Sequence, residues 1–253
     1  MTLYTAATPN GIKVSMALEV LGLPYKVHHL DLSSQAQKQP WFLEINPNGR
    51  IPALTDTLPN GSPIRIFESG SILLYLAERY DKDRRISFEA GTHEYIEMVS
   101  WLFWQNSGLG PMQGQANHFR RYAPLEVAEK REEVYSYSLG RYQAETKRLY
   151  GVLESHLGRK EASLFLVGDK VTIADLSVLG WVLFADWAGV GIDEFPHVKA
   201  WEERVCRIPG VIRGTEVPKK TLDLRHMAAS EKDEYARNAA AWIVGNGGKE
   251  EGS

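Results

Sequence analysis

The chain of 253 residues holds a single cysteine, Cys206. No internal disulfide can form, and neither a CxxC redox pair nor a cysteine-built zinc site is available. Any thiol chemistry here must use a sulfur carried by another molecule. Lysine and arginine number 29 against 32 aspartates and glutamates, for a formal net charge of −3. The basic excess of a phosphate-binding footprint is missing, so nucleic acid is not an expected partner. No apolar run approaches the roughly 20 residues of a membrane span. The opening MTLYTAATPN lacks a charged leader followed by an apolar core. The expectation is a cytoplasmic protein with no membrane partner and no metal.

What is present is the composition of an ordinary globular protein, 43% hydrophobic and 24% charged, in a chain long enough for two moderate domains. The first eighty residues alternate between two hydrophobic periods. Thr2 to Ala7 reads as a strand, and Lys13 to Gly22 places Val14, Met16, Ala17, Val20 and Leu21 at helical spacing. Residues 25–32 (YKVHHLDL) alternate as a second strand. Ala53–Thr55 and 64–68 read as a hairpin around Pro59-Asn60-Gly61. Residues 69–80 are helical, with Ser69 or Ser71 available to cap the first turn. The order is β-α-β, a long loop, then β-β-α.

From about Thr92 the period stays helical: 94–112, with a break near Gly108-Leu109-Gly110-Pro111, then 126–157, 173–188 and 198–206. The division expected is an α/β domain over 1–81, a charged linker, an all-α domain over 92–225 and a C-terminal extension over 226–253. Within the extension a short docked helix is expected before a frayed Gly/Lys/Glu/Ser end.

Three segments of the first domain carry polar residues that core packing does not require: Thr8-Pro9-Asn10, NPNGRIPAL (46–54) and FESGSILLYL (67–76). Thr8 to Gly11 lies between a strand and a helix, a layout that either caps the helix or binds an anion or sulfur group. Asn48 in an Asn-Gly turn is a turn former as well as a candidate contact. Thr172 to Asp175 reads as a capping box. Trp101, Phe103 and Trp104 are core residues or a pocket wall, and His118 to Arg121 are a solvated face or a cleft mouth.

The order TPNG, NPNGRIPAL, FESGSILLYLAE closely resembles the thioredoxin-like domain of the glutathione transferases. Within that family it resembles the bacterial Nu class and the fungal proteins related to the yeast nitrogen-catabolite regulator. WLFWQNSGLGPMQGQANHF (101–119), RYQAETKRLYGVL (141–153) and TIADLSVLGW (172–181) resemble the helical domain of the same group. The resemblance covers roughly residues 2–215. It implies a thioredoxin-like βαβ-ββα domain plus an all-α domain, a homodimer, and glutathione or oxidised glutathione as ligand and co-substrate with no other cofactor.

It also implies site residues. Ile51-Pro52 is expected to be a cis peptide that offers the Ile51 backbone to an extended peptide ligand. Glu68 and Ser69, at a helix start, are expected at the γ-glutamyl end. Gln37, with Lys38 and Gln39 as alternatives, is expected at the glycyl end, with Asn48 and Arg50 nearby and Arg50 otherwise a loop brace. Arg141 matches an arginine that reaches the ligand across the dimer.

For the sulfur itself, Cys206 lies far along the chain in a packing helix, and Tyr4 sits inside the strand. Thr8 and Asn10 remain. Neither titrates near neutral pH, but both can donate hydrogen bonds to a thiolate. Lowering a thiol two units from about 8.5 takes roughly 2.7 kcal/mol, the size of one or two charge-assisted hydrogen bonds at about 1.5–3 kcal/mol each. The function that the resemblance to the Nu class implies is glutathione-dependent disulfide reduction. Conjugation of glutathione to an electrophile, or a non-catalytic glutathione-binding regulator, are the alternatives.

Overall fold

The computed structural model describes residues 1–123, 132–159, 163–221, 224 and 227–243, with the backbone alone at 241 and 242. The amino-terminal part runs β1 (Thr2–Thr5), α1 (Pro9–Leu21), β2 (Lys26–His29), α2 (Pro40–Leu43), β3 (Ala53–Thr57), β4 (Pro63–Phe67) and α3 (Ser69–Tyr80). The sheet order is β2-β1-β3-β4. β1 pairs parallel with β2, Leu3 opposite Val27, and antiparallel with β3, Leu3 opposite Leu54. β3 and β4 form the expected hairpin, with Ala53 opposite Phe67. A parallel pair needs a crossover, and α1 supplies it.

Helix α1 begins four residues before the apolar period. Pro9 fits a first helical turn, where its missing N–H costs nothing, and Thr8 caps the helix in extended conformation (φ −132°, ψ 162°). The segment expected to be a loop holds a 3₁₀ turn, Ala36–Lys38, and the short α2. At α3 the capping expectation fails: the residue before the helix is Glu68, and no side chain caps it.

The remainder is helical: α4 (His93–Trp104), α5 (Gly110–Asn117), α6 (Glu132–Leu157), α7 (Ile173–Val182), α8 (Pro196–Cys206), α9 (Pro209–Thr215) and α10 (Ala229–Ile243). The break expected near Gly108 to Pro111 does not occur. A π turn over Gln105–Leu109 carries the chain from α4 into α5 with helical dihedrals at both joints, and Pro111 falls in the first turn of α5. A second π turn, His118–Tyr122, follows α5. The helix expected over 173–188 stops at Val182 and resumes as a 3₁₀ turn at Ala185–Ala188. α9 went unforeseen. The start of the helix expected at 126, and the end of the chain from 244, lie outside the described residues.

The charged segment after α3 is tied down. The buried Asp81 carboxylate accepts from the Arg85 and Ile86 N–H groups at 2.6 and 2.9 Å and from the Ser87 hydroxyl at 2.7 Å. Asp175 in α7 is likewise buried and accepts from the Thr172 N–H and hydroxyl, the Leu166 N–H and the Trp201 indole N–H. The residues of the expected capping box thus meet around this carboxylate.

One core joins the two parts, and α1 runs through it. Gly11 through Leu18 are all buried, because α3, α7 and α9 all pack on this helix. The approach to α7 is close enough that a β-carbon on Gly180 would lie 2.5 Å from the Pro9 carbonyl oxygen. Against α9, the Ser15 hydroxyl donates to the Gly214 carbonyl at 2.7 Å.

Replacing Gly180 with alanine is expected to destabilise the protein by about 1–3 kcal/mol despite the gain in helix propensity, since backbone cannot move aside like a side chain. Gly140→Ala in α6, where a new methyl meets nothing within 4 Å, should raise stability by up to about 1 kcal/mol. Urea unfolding of both variants checks the contrast, and equal midpoints would show that the α1–α7 contact is loose.

Candidate functional site

The end of β1, the start of α1, the loop before β3 and the start of α3 converge on a cleft with two lobes. One lobe, about 620 Å³, is lined by Glu68, Ser69, Gln105 and Asn106. The other, about 730 Å³, is lined by Thr8, Gln37, Lys38, Gly49 and Ile51. Asn10, Arg50, Tyr122, Trp181 and Ile243 line both. The cleft is long, with Asn10 near its middle and different polar groups at each end.

Thr8 is both a cap and a donor. Its Oγ1 accepts the Gly11 N–H at 3.1 Å, and its carbonyl accepts the Ile12 N–H at 3.1 Å. A hydroxyl whose oxygen caps a helix still carries its proton, so the side chain keeps a donor. Gly11 is required here, because a β-carbon would stand 2.1 Å from the Ala6 carbonyl oxygen.

Asn10 is oriented by a residue to which the sequence reading assigned no role. The Trp181 indole N–H donates to Asn10 Oδ1 at 3.0 Å. An indole nitrogen only donates, so the atom facing it must be the carbonyl oxygen. The Asn10 amide NH₂ is thereby turned away from Trp181 as a donor. Both residues sit at the positive end of α1, which favours an anion.

The loop before β3 carries the expected Ile51-Pro52 cis peptide. It is braced by Asn46, which is buried. The Asn46 side chain donates to the Arg50 carbonyl at 2.6 Å and accepts the Asn48 N–H at 2.9 Å. Asn48 is exposed, outside the residues that line the cleft, and acts in the turn. The turn role expected of Asn48 is thus shared with Asn46. Arg50 points its exposed side chain to the cleft. Gln37 is buried and its Oε1 has no protein partner, whereas Gln39 is exposed ahead of α2.

At the other end Glu68 adopts φ +68°, ψ 122°, a conformation that costs a non-glycine residue on the order of 1–3 kcal/mol and is found preferentially at ligand sites. The Ser69 hydroxyl oxygen accepts from Lys13 Nζ at 3.2 Å. Lys13 is fully buried and also bonds Gln105 Oε1, which accepts from the Ser177 hydroxyl at 2.6 Å. Burial pulls the Lys13 ammonium down to about 7, with the charge of Glu68 opposing the shift.

Several candidates lie elsewhere. Arg141 is exposed on α6, near Glu145, and does not line the cleft of its own chain. Tyr4 packs with His28, Trp41 and Phe42. Trp101 and Trp104 pack against each other and the core, while Phe103 is 60% exposed. The aromatic wall is instead Tyr122 and Trp181. Of His118 to Arg121, His118 lines the cleft. Arg121 stacks 4.6 Å over Trp187 and pairs with Asp233 of α10 at 3.5 Å. Cys206 packs against the core. Lys13, set between Ile12 and Val14 in a helix buried all round, belongs to a buried network that the sequence reading missed.

A thioredoxin-like sheet with a cis-proline loop facing a helical bundle across a two-lobed cleft defines the glutathione transferase fold. Residues 8–79 match the family model of the glutathione S-transferase N-terminal domain and 118–209 that of the C-terminal domain. Disulfide-bond oxidoreductase YfcG of Escherichia coli is 41% identical over 209 residues, covering 82% of this chain and 90% of that protein. A glutathione transferase homolog from Lodderomyces elongisporus, solved with two glutathiones per subunit, superposes with a TM-score of 0.77 at 41% identity, covering 86% of this chain and 98% of that one. The glutathione transferase URE2P6 from Phanerochaete chrysosporium, in complex with oxidised glutathione, gives a TM-score of 0.75 at 41% identity over 85% and 94% of the two chains. The chain belongs to the glutathione transferase family, alongside bacterial and Ure2-like fungal relatives.

The pH dependence of stability follows from Lys13. Unfolding returns the amine to about 10.5 from about 7, so between those values the unfolded chain binds more protons and this group makes stability rise with pH. Lys13→Met should abolish that rise. Urea unfolding of both proteins across about pH 7 to 10 measures it, and parallel curves would show that the amine is not depressed.

Proposed function

We propose that the protein is a glutathione-dependent disulfide reductase, a glutathione transferase that works through glutathione's own sulfur. Glutathione lies along the cleft with its γ-glutamyl end at Glu68 and Ser69, its backbone against Ile51, and its glycyl end toward Gln37 and Arg50. Its sulfur lies between Thr8 and Asn10. The observation that carries this reading is that Thr8 and Asn10 both have their acceptor oxygens bonded within the protein, to Gly11 and Trp181. What they offer a ligand is protons, so they stabilise a thiolate better than a thiol. Residues 1–81 form the glutathione-binding domain, 92–225 the helical domain and 226–253 an extension. The working form is a cytoplasmic homodimer, with Arg141 approaching the partner's ligand.

The reaction is two exchanges. A glutathione thiolate held by Thr8 and Asn10 attacks one sulfur of the substrate disulfide; a new S–S bond forms, the old one breaks, and the departing thiolate takes a proton from water. A second glutathione thiolate attacks the mixed disulfide at its glutathione sulfur, giving oxidised glutathione and a second thiol. Two glutathiones are oxidised and one disulfide is reduced, with no protein cysteine involved. Holding the reacting sulfurs in line is the protein's other contribution. Two similar structures hold, in one case, two glutathiones per subunit and, in the other, oxidised glutathione, ligand sets that this sequence of exchanges requires.

Asn10→Ala should lower kcat/KM for glutathione-dependent reduction of a small dialkyl disulfide by about 10- to 100-fold, the loss of one hydrogen bond to a charged group. Its stability should fall by no more than about 1–3 kcal/mol, the cost of leaving the Trp181 indole N–H unpaired, so the variant stays folded for the assay. Trp181→Phe should lower the same rate by a smaller factor, since it frees the amide to rotate without removing it. Undiminished activity in Asn10→Ala would sink the thiolate assignment. Rapid conjugation of an aromatic halide with no disulfide turnover would replace the reaction.

A further inference from the structure

Beneath the head of α3 lies a charge that the exchange reaction does not use. Lys13 is fully buried, which is rare for a lysine without a specific partner. Its Nζ bonds two neutral oxygens, Ser69 Oγ and Gln105 Oε1, and among the described residues no carboxylate. On the cleft side of the same cluster Gln105, 1% exposed, keeps its Nε2 without a partner, and Gln105 and Ser69 both line the lobe that holds Glu68. An unpaired amide donor and a serine whose oxygen is already taken thus face the lobe, with a buried cation directly behind them. Ser69 has just one weak protein acceptor for its proton, Asn106 Oδ1 at 3.5 Å.

We propose that Lys13 is a positioning residue for the ligand: its ammonium fixes the Ser69 oxygen as an acceptor, so that the hydroxyl proton is presented to a carboxylate, and it is the buried counter-ion that this carboxylate meets one hydrogen bond away. The inference rests on the reading above for the ligand's identity, the γ-glutamyl carboxylate of glutathione. Asn10, Thr8 and Ser69 then follow one scheme, each with its acceptor satisfied by the protein and its donor left for the ligand.

The charge state makes the idea measurable. The groups facing Lys13 from α3, the π turn and α7 are Ser69, Gln105 and Gly180, all uncharged, and Glu68 is the charged neighbour. Other charged groups on the packed helices are engaged elsewhere: Asp175 of α7 with Leu166 and Trp201, and Arg213 of α9 with Glu19. The amine titrates at about 7 without ligand. A carboxylate at Ser69 raises that value, while the ligand's ammonium sits farther away at Glu68. Between about pH 7 and pH 9 binding therefore draws in part of a proton.

Calorimetric titration with S-methylglutathione, whose sulfur cannot ionise, in buffers of differing ionisation enthalpy measures that uptake. Wild type should take up protons near pH 8, and Lys13→Met should take up none. The variant should bind about tenfold more weakly and show a raised KM for glutathione, with kcat at saturation within about twofold, because uniform binding is lost. Equal uptake or equal affinity in the two proteins would make Lys13 a structural strut and overturn the inference, leaving the glutathione reading intact. Absence of binding to wild type would overturn both. His118 also lines the cleft, so His118→Gln is the second variant, informative even if Lys13→Met does not fold. Retained uptake in it supports Lys13, and lost uptake refutes it.

Discussion

The burial of α1 on every side is the constraint from which the site follows. A helix covered by α3, α7 and α9 has only its amino end free, because its apolar and small residues are consumed by packing and its carboxyl end turns away at Gly22 into β2. The first turn of any helix presents N–H groups without helical partners. Pro9 has none to present, and Gly11 and Ile12 give theirs to Thr8. Little besides Asn10 and the Thr8 hydroxyl remains to meet a ligand. The cleft lies where this buried helix reaches the surface.

The same burial explains why Thr8, Asn10 and Ser69 offer the cleft donors rather than acceptors. Three cleft donors have their acceptor oxygens engaged in holding two elements together: Thr8 closes the β1–α1 turn, Asn10 joins α1 to α7 through Trp181, and Ser69 joins α3 to α1 through Lys13. Fixing these acceptors within the protein orients the donors before any ligand arrives, so the ordering cost is met in folding rather than in binding. A free acceptor beside the sulfur would favour the thiol over the thiolate. At Thr8 and Asn10 the fold has used those acceptors.

Much of the fold could be read from the chain, because hydrophobic period and turn residues are local signals. The hairpin around Asn60-Gly61, α3 and the parallel crossover all declare themselves in that way. The start of α1 was misplaced because Pro9, Asn10 and Gly11 carry no apolar period, and the dihedral preference of proline at a first turn outranks periodicity. The break expected near Gly108 to Pro111 failed because π turns absorb residues that a strict α-helix would reject. Of the site, Thr8, Asn10, Gln37, Ile51, Glu68 and Ser69 were legible from motif order and fall on one cleft. Trp181, Gln105 and Lys13 were not, since each acts through a partner about 60 to 170 residues away in sequence and pairings at that range leave no local pattern.

The carboxyl-terminal helix extends this logic beyond the thioredoxin-like part. α10 is held by the Arg121 to Asp233 pair, by Tyr235 against Trp187 with ring centroids 5.4 Å apart, and by the buried Ala236 and Ala239. Arg121 lies over the Trp187 ring and donates to the Trp187 carbonyl, so the π turn after α5, the 3₁₀ turn after α7 and α10 form one packed unit. That unit brings Ile243 to the wall shared by both lobes, which Asn10 and Arg50 also line. An apolar residue there removes water from the side of the cleft facing the donors. Hydrogen bonds to a charged sulfur strengthen as the local dielectric falls. Of the described residues, the segment farthest in sequence from Thr8 and Asn10 therefore conditions the environment around those two residues.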